Sequence, residues 1–88
     1  MRPSALIAED EAAQRRELCR LLASSWPQLQ IVAECEDGLA AIAALQAHRP
    51  TVAFLDIRMA GANGLEVAQQ ACKMAHVVFI TRVRATRH

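Results

Sequence analysis

Aromatic residues make up only 3% of the sequence, with no tyrosine, one tryptophan and two phenylalanines. Any core must therefore be aliphatic and rich in alanine. Paired cysteine motifs are lacking as well. Cys19, Cys35 and Cys72 form no CxxC pair, and any disulfide would leave one thiol over. This suits a reducing cytosol. The three cysteines read as small buried hydrophobes. No apolar run approaches the roughly 18 residues of a membrane span. Acids arrive as early as Glu9 and Asp10, so the N-terminal stretch is not expected to be a signal peptide. Lysine is nearly missing, with Lys73 alone. The histidines, His48, His76 and His88, are too scattered for a metal site and read as surface or strand-edge residues.

Charge of one sign is also lacking. The net charge of +1 points to no class of partner. Its placement is uneven, however. Residues 1–81 carry seven Lys/Arg against nine Asp/Glu, whereas the last seven residues carry Arg82, Arg84 and Arg87 and no acid. Three arginines without an aromatic or a recognition helix read as a solvated end rather than a nucleic-acid contact. What is present is apolar bulk. At 88 residues and 53% hydrophobic, the chain suits one packed domain.

The pattern alternates between strands and helices. Ala5-Leu6-Ile7-Ala8 is a short apolar run that stops at Glu9-Asp10-Glu11, as a buried strand would. Residues 11–25 then place Leu18, Leu21, Leu22 and Ser25 on one helical face. Trp26-Pro27 ends that helix. Leu29 to Cys35 reads as a strand and Asp37-Gly38 as a turn. Residues 39–48 form an alanine-rich helix with Ile42 and Leu45 inward. Val52-Ala53-Phe54-Leu55 is apolar without alternation, typical of a parallel strand covered on both faces, and it stops at Asp56. After a loop over 57–63, Gly64 to Met74 fits a third helix with Leu65, Ala68 and Cys72 inward. Val77 to Ile80 is a fourth buried strand, ending at Thr81. The order β-α-β-α-β-α-β predicts right-handed crossovers and a parallel sheet.

Three of these strands end in polar groups: Glu9 and Asp10, then Asp56, then Thr81. In an open parallel sheet the carboxyl ends share one rim, and ligands bind where the strand order reverses. With strand order 2-1-3-4, Glu9, Asp10 and Asp56 converge beside that point. Three neighbouring carboxylates repel one another unless one is protonated or a cation neutralises them. Oxygen donors alone favour a hard ion such as Mg²⁺. Such an ion also stabilises charge when a carboxylate attacks a phosphoryl group, and the Thr81 hydroxyl could donate to that group. Each acid taken singly could be a helix cap or a solvated turn residue. Four polar residues at three strand ends on one rim favour the functional reading.

These segments resemble the receiver domains of two-component response regulators. The resemblance rests on Ala5-Leu6-Ile7-Ala8-Glu9-Asp10-Glu11, Glu34-Cys35-Glu36-Asp37-Gly38, Phe54-Leu55-Asp56-Ile57-Arg58-Met59, Gly61-Ala62-Asn63-Gly64-Leu65-Glu66-Val67-Ala68 and Val78-Phe79-Ile80-Thr81, in family order and spacing. The wording looks most like receivers joined to LytTR-type DNA-binding domains. The resemblance implies an α/β, flavodoxin-like (receiver) parallel sheet of order 2-1-3-4. It implies Asp56 as phosphoacceptor and Thr81 as switch hydroxyl. It further implies Mg²⁺ held by Glu9, Asp10, Asp56 and the backbone carbonyl of Arg58, with a sensor histidine kinase as donor in the cytoplasm.

The departures carry expectations of their own. The family's fifth strand begins with a lysine that contacts the phosphoryl oxygens, and Lys73 stands before the fourth strand instead. The fourth helix, fifth strand and fifth helix are missing, so the fold is read as incomplete: a receiver over 1–81 and a basic, non-family tail over 82–88. Arg82 follows the switch threonine where a small residue is usual, and Ala60 replaces the usual loop proline. The fourth strand should then be a bare edge, with Val77 and Phe79 exposed, and two chains should pair through it. This leaves two functions, a phosphoacceptor impaired by truncation or a phosphorylation-incompetent module for dimerisation. An aspartyl-phosphate enzyme is disfavoured, because Arg58 occupies the position where such enzymes carry a second acid.

Overall fold

The computed structural model describes residues 2–56 and 64–80; of Gly64 and Leu65 it describes the backbone alone. The elements are β1 (Ser4–Ala8), α1 (Ala12–Ser25), β2 (Gln30–Cys35), α2 (Gly38–His48), β3 (Val52–Asp56), α3 (Gly64–Cys72) and β4 (His76–Ile80). The strands form one sheet in the order β2-β1-β3-β4. Each adjacent pair is parallel. The expected fold class, a flavodoxin-like receiver sheet of order 2-1-3-4, is therefore observed.

The pleat of the central strands divides the core in two. Leu6, Ala8, Ala53 and Leu55 point to one face, where Ala41 and Leu45 of α2 and Val67, Ala68 and Ala71 of α3 cover them. Ala5, Ile7, Val52 and Phe54 point to the other, where Leu18, Cys19 and Leu22 of α1 pack with Leu29 and Ile31. Helices on both faces explain why β1 from Ala5 to Ala8 and β3 from Val52 to Leu55 are apolar at every position.

Local chemistry sets the helix ends. The Asp37 carboxylate accepts a hydrogen bond from the Ala40 amide at 2.8 Å and caps α2. Arg49 ends α2 in the left-handed region, φ 47° and ψ 58°. That conformation costs a residue with a Cβ about 1 kcal/mol, and it turns the chain into the buried Pro50 ahead of β3. No helix among the described residues is long and apolar enough to cross a membrane.

The helix faces differ from expectation. On α1, Leu21 is half exposed and Ser25 exposed, and the inward stripe is Arg15, Leu18, Cys19 and Leu22. This is a clean i, i+3, i+4, i+7 set, and Leu21 lies on its flank. On α3 the inward residues are Val67, Ala68 and Ala71, while Cys72 is exposed. Val67, Ala68 and Ala71 share one arc of the helix, and Cys72 falls beyond its edge. Of the cysteines, Cys35 is buried, Cys19 half-buried and Cys72 exposed, all as free thiols. α3 also ends before Lys73 and Met74, which belong to the turn that leads into β4.

β4 is the least covered strand. Val78 is 43% and Phe79 48% exposed, so the expectation of a buried strand fails here. Bare apolar surface is present, but Val78 takes the place expected of Val77. Val77 points to the α2–α3 face and packs against its core. Val78, one residue on, faces the side that carries α1 alone.

Candidate functional site

β1 and β3 run side by side with Ala8 paired to Leu55. One further step places Glu9 beside Asp56 at the carboxyl rim of the sheet. From this rim the chain leaves β1 for α1 on one face and β3 for α3 on the other. That is the divergence at which open α/β sheets form a crevice. Glu9 is 2% and Asp56 1% exposed, the only charged residues buried this deeply among those described. Asp10 is half-buried. Glu9, Asp10 and Asp56 each offer a carboxylate oxygen within 4.8 Å of the others. The three acids singled out in the sequence are thus brought together. Arg58 and Thr81 lie outside the described residues, as do Ala60 and the tail 82–88.

Several hydrogen bonds hold the rim in shape. The Glu9 amide donates to the Cys35 carbonyl of β2 at 2.9 Å. The Glu9 Oε2 accepts from the Glu11 amide at 3.0 Å. The Glu9 carbonyl accepts from Arg15 Nη1 at 2.6 Å. On its other side Arg15 Nε lies 3.7 Å from Glu34 Oε1 of β2. Arg15 is absent from the sequence-based site. Its signal was available as an arginine in phase with the inward stripe of α1.

Burial pushes the Glu9 carboxyl up to about 7, with the Asp56 and Asp10 carboxyls pushing the same way and the Glu11 amide opposing. The cluster therefore resists carrying three negative charges. A hard cation relieves such a site, and an all-oxygen donor set with two buried carboxylates fits Mg²⁺. Burial likewise raises the thiols of Cys19 and Cys35, which favours the protonated form.

A cavity of about 450 Å³ lies between α1 and β2, lined by Ala13, Arg16, Glu17, Cys19, Arg20 and Glu34. Its wall mixes both signs of charge, as a solvated face does, and it contains none of the three clustered acids.

Comparison with known proteins agrees with this geometry. The chain matches the response regulator receiver domain family over residues 5–87. It is 48% identical to a response regulatory protein of Vibrio cholerae over 81 residues, covering 89% of this chain and 31% of that protein. It is 35% identical over 80 residues to the transcriptional regulatory protein YpdB of Escherichia coli, covering 91% of this chain and 32% of that one. The chain thus spans about a third of the length of these relatives. Among solved structures it resembles the signal receiver domain of NarL from Mycobacterium tuberculosis, with a TM-score of 0.78 and 31% identity over 89% of this chain and 64% of that one. By sequence and by fold, the chain belongs to the response regulator receiver domain family.

Proposed function

We propose that this chain is the phosphoacceptor module of a two-component signalling protein, with Asp56 as the acceptor. The observation that supports this most is the buried Asp56 carboxyl at the end of β3, clustered with Glu9 and Asp10. In this reading a sensor histidine kinase is the donor. An Asp56 carboxylate oxygen attacks phosphorus, an O–P bond forms, and the bond from phosphorus to the donor breaks. Glu9, Asp10, Asp56 and the Arg58 backbone carbonyl would hold Mg²⁺. When bound, that ion supplies positive charge against the phosphoryl oxygens. The Thr81 hydroxyl would close on the transferred group. The module is an acceptor, not an enzyme, and works in the cytoplasm. Any DNA-binding output, LytTR-type or other, belongs to a part of the parent regulator outside this chain.

The test is labelling with radioactive acetyl phosphate in the presence of Mg²⁺. An aspartyl phosphate is an acyl phosphate, so hydroxylamine should release the label. A label that resists hydroxylamine, or none at all, contradicts the proposal.

A second reading is an interaction module that does not accept phosphate. It is favoured by the exposed Val78 and Phe79 on β4. In that reading two chains pair through their β4 edges and cover each other's apolar surface.

A further inference from the structure

Arg15 is the one charged residue on the inward stripe of α1, in phase with Leu18, Cys19 and Leu22. Its side chain is only 16% exposed. Placing a charged guanidinium there takes it out of water, so its contacts must compensate. Those contacts link three elements. Nη1 donates to the Glu9 carbonyl just past β1, at 2.6 Å, and Nε faces the Glu34 carboxylate of β2 at 3.7 Å. The first is a short, charge-assisted bond. It grips the peptide that joins Glu9 to Asp10, while the Glu9 amide is tied to Cys35. Both backbone polar groups of Glu9 are thereby held, and the two acids leave the rim in a set direction.

We propose that Arg15 is a positioning residue that aims the Glu9 and Asp10 carboxylates at a divalent cation shared with Asp56. This rests on the reading of the acidic rim as a cation-dependent phosphoacceptor site. Arg15 touches neither the cation nor the phosphoryl group. Glu34 plays a lesser part, since it faces the far side of the guanidinium from Glu9.

The test measures Mn²⁺ binding to the 88-residue chain by loss of the free-ion paramagnetic resonance signal, beside thermal unfolding. Arg15→Met keeps the apolar stem and removes the donors. It should bind Mn²⁺ about tenfold more weakly than the parent chain. Arg15→Lys restores charge with a single donor group and should fall about threefold short of the parent. Glu34→Gln should stay within about twofold, because the bond from Arg15 to Glu9 survives. If Arg15 merely ties α1 to the sheet, Arg15→Met lowers the melting temperature and leaves the affinity unchanged, which overturns the assignment. Should Arg15→Met fail to fold, Arg15→Lys decides, and parental affinity in that variant overturns the assignment. A parent chain that binds no Mn²⁺ overturns the acidic-rim reading itself, and this assignment with it.

Discussion

Glu9 and Asp56 stand side by side one residue beyond the Ala8–Leu55 pair of the β1–β3 ladder, each almost fully enclosed. Two carboxyls in that relationship are a liability to folding unless something is gained from their charge. Buried strands of ordinary composition would end in apolar or capped residues. The strain is therefore concentrated where the crevice of the sheet opens.

The first prediction concerns pH. Glu9 is raised from 4.5 to about 7 in the folded chain, chiefly by burial. A raised folded pKa contributes stability that is complete below the unfolded value and disappears as pH rises through the folded value. In buffer free of divalent cations, the urea midpoint should fall as pH rises from about 4.5 through about 7. Glu9→Gln should flatten that decline. Equal slopes in parent and variant would contradict the account.

Removing a charge from the cluster should stabilise the metal-free chain. Asp56→Asn keeps the shape and relieves repulsion with Glu9 and Asp10. We expect a gain on the order of 1 kcal/mol near neutral pH, read from urea unfolding. A destabilised Asp56→Asn would mean that the carboxylate is needed for the fold.

The aliphatic core supplies a third prediction. Leu45 is fully buried on α2, whereas Leu39 of the same helix is 72% exposed. Leu45→Ala should cost about 2–5 kcal/mol, enough to unfold much of a small chain. Leu39→Ala should change stability by less than about 0.5 kcal/mol. Similar effects at both positions would refute the orientation of α2.

The β4 edge gives a fourth. Burying one large apolar side chain contributes roughly 1.5–3 kcal/mol, so exposed Val78 and Phe79 favour self-association. Sedimentation velocity at moderate concentration should show a dimer or a larger species. Val78→Lys combined with Phe79→Lys should shift it to monomer, as charged edges do. A monomeric parent chain would remove the pairing reading.

Much of this was legible because burial leaves a plain record in composition. Val52 to Leu55 and Ala5 to Ala8 are apolar at every position, which only a doubly covered strand requires. The acids that end those strands stand out for the same reason. The phase of the helices was less legible. Counting leucines put Leu21 inward on α1, but the stripe that packs there includes Arg15 and Cys19 in its place. On α3 the buried arc is Val67, Ala68 and Ala71, and alanine is common enough on exposed helix faces not to mark an inward one. The exposure of β4 depends on what lies beside it, not on its own apolar sequence. Arg15 was missed because its partner is the Glu9 backbone carbonyl, and every residue carries one.

The most direct measurement is the intact mass of the chain after incubation with acetyl phosphate. Parent chain, Asp56→Asn and parent chain with chelator are run in parallel. The account predicts one phosphoryl adduct on the parent with Mg²⁺, and none on the variant or without the cation. A folded parent chain that gains no adduct, or an Asp56→Asn chain that gains one, would contradict it.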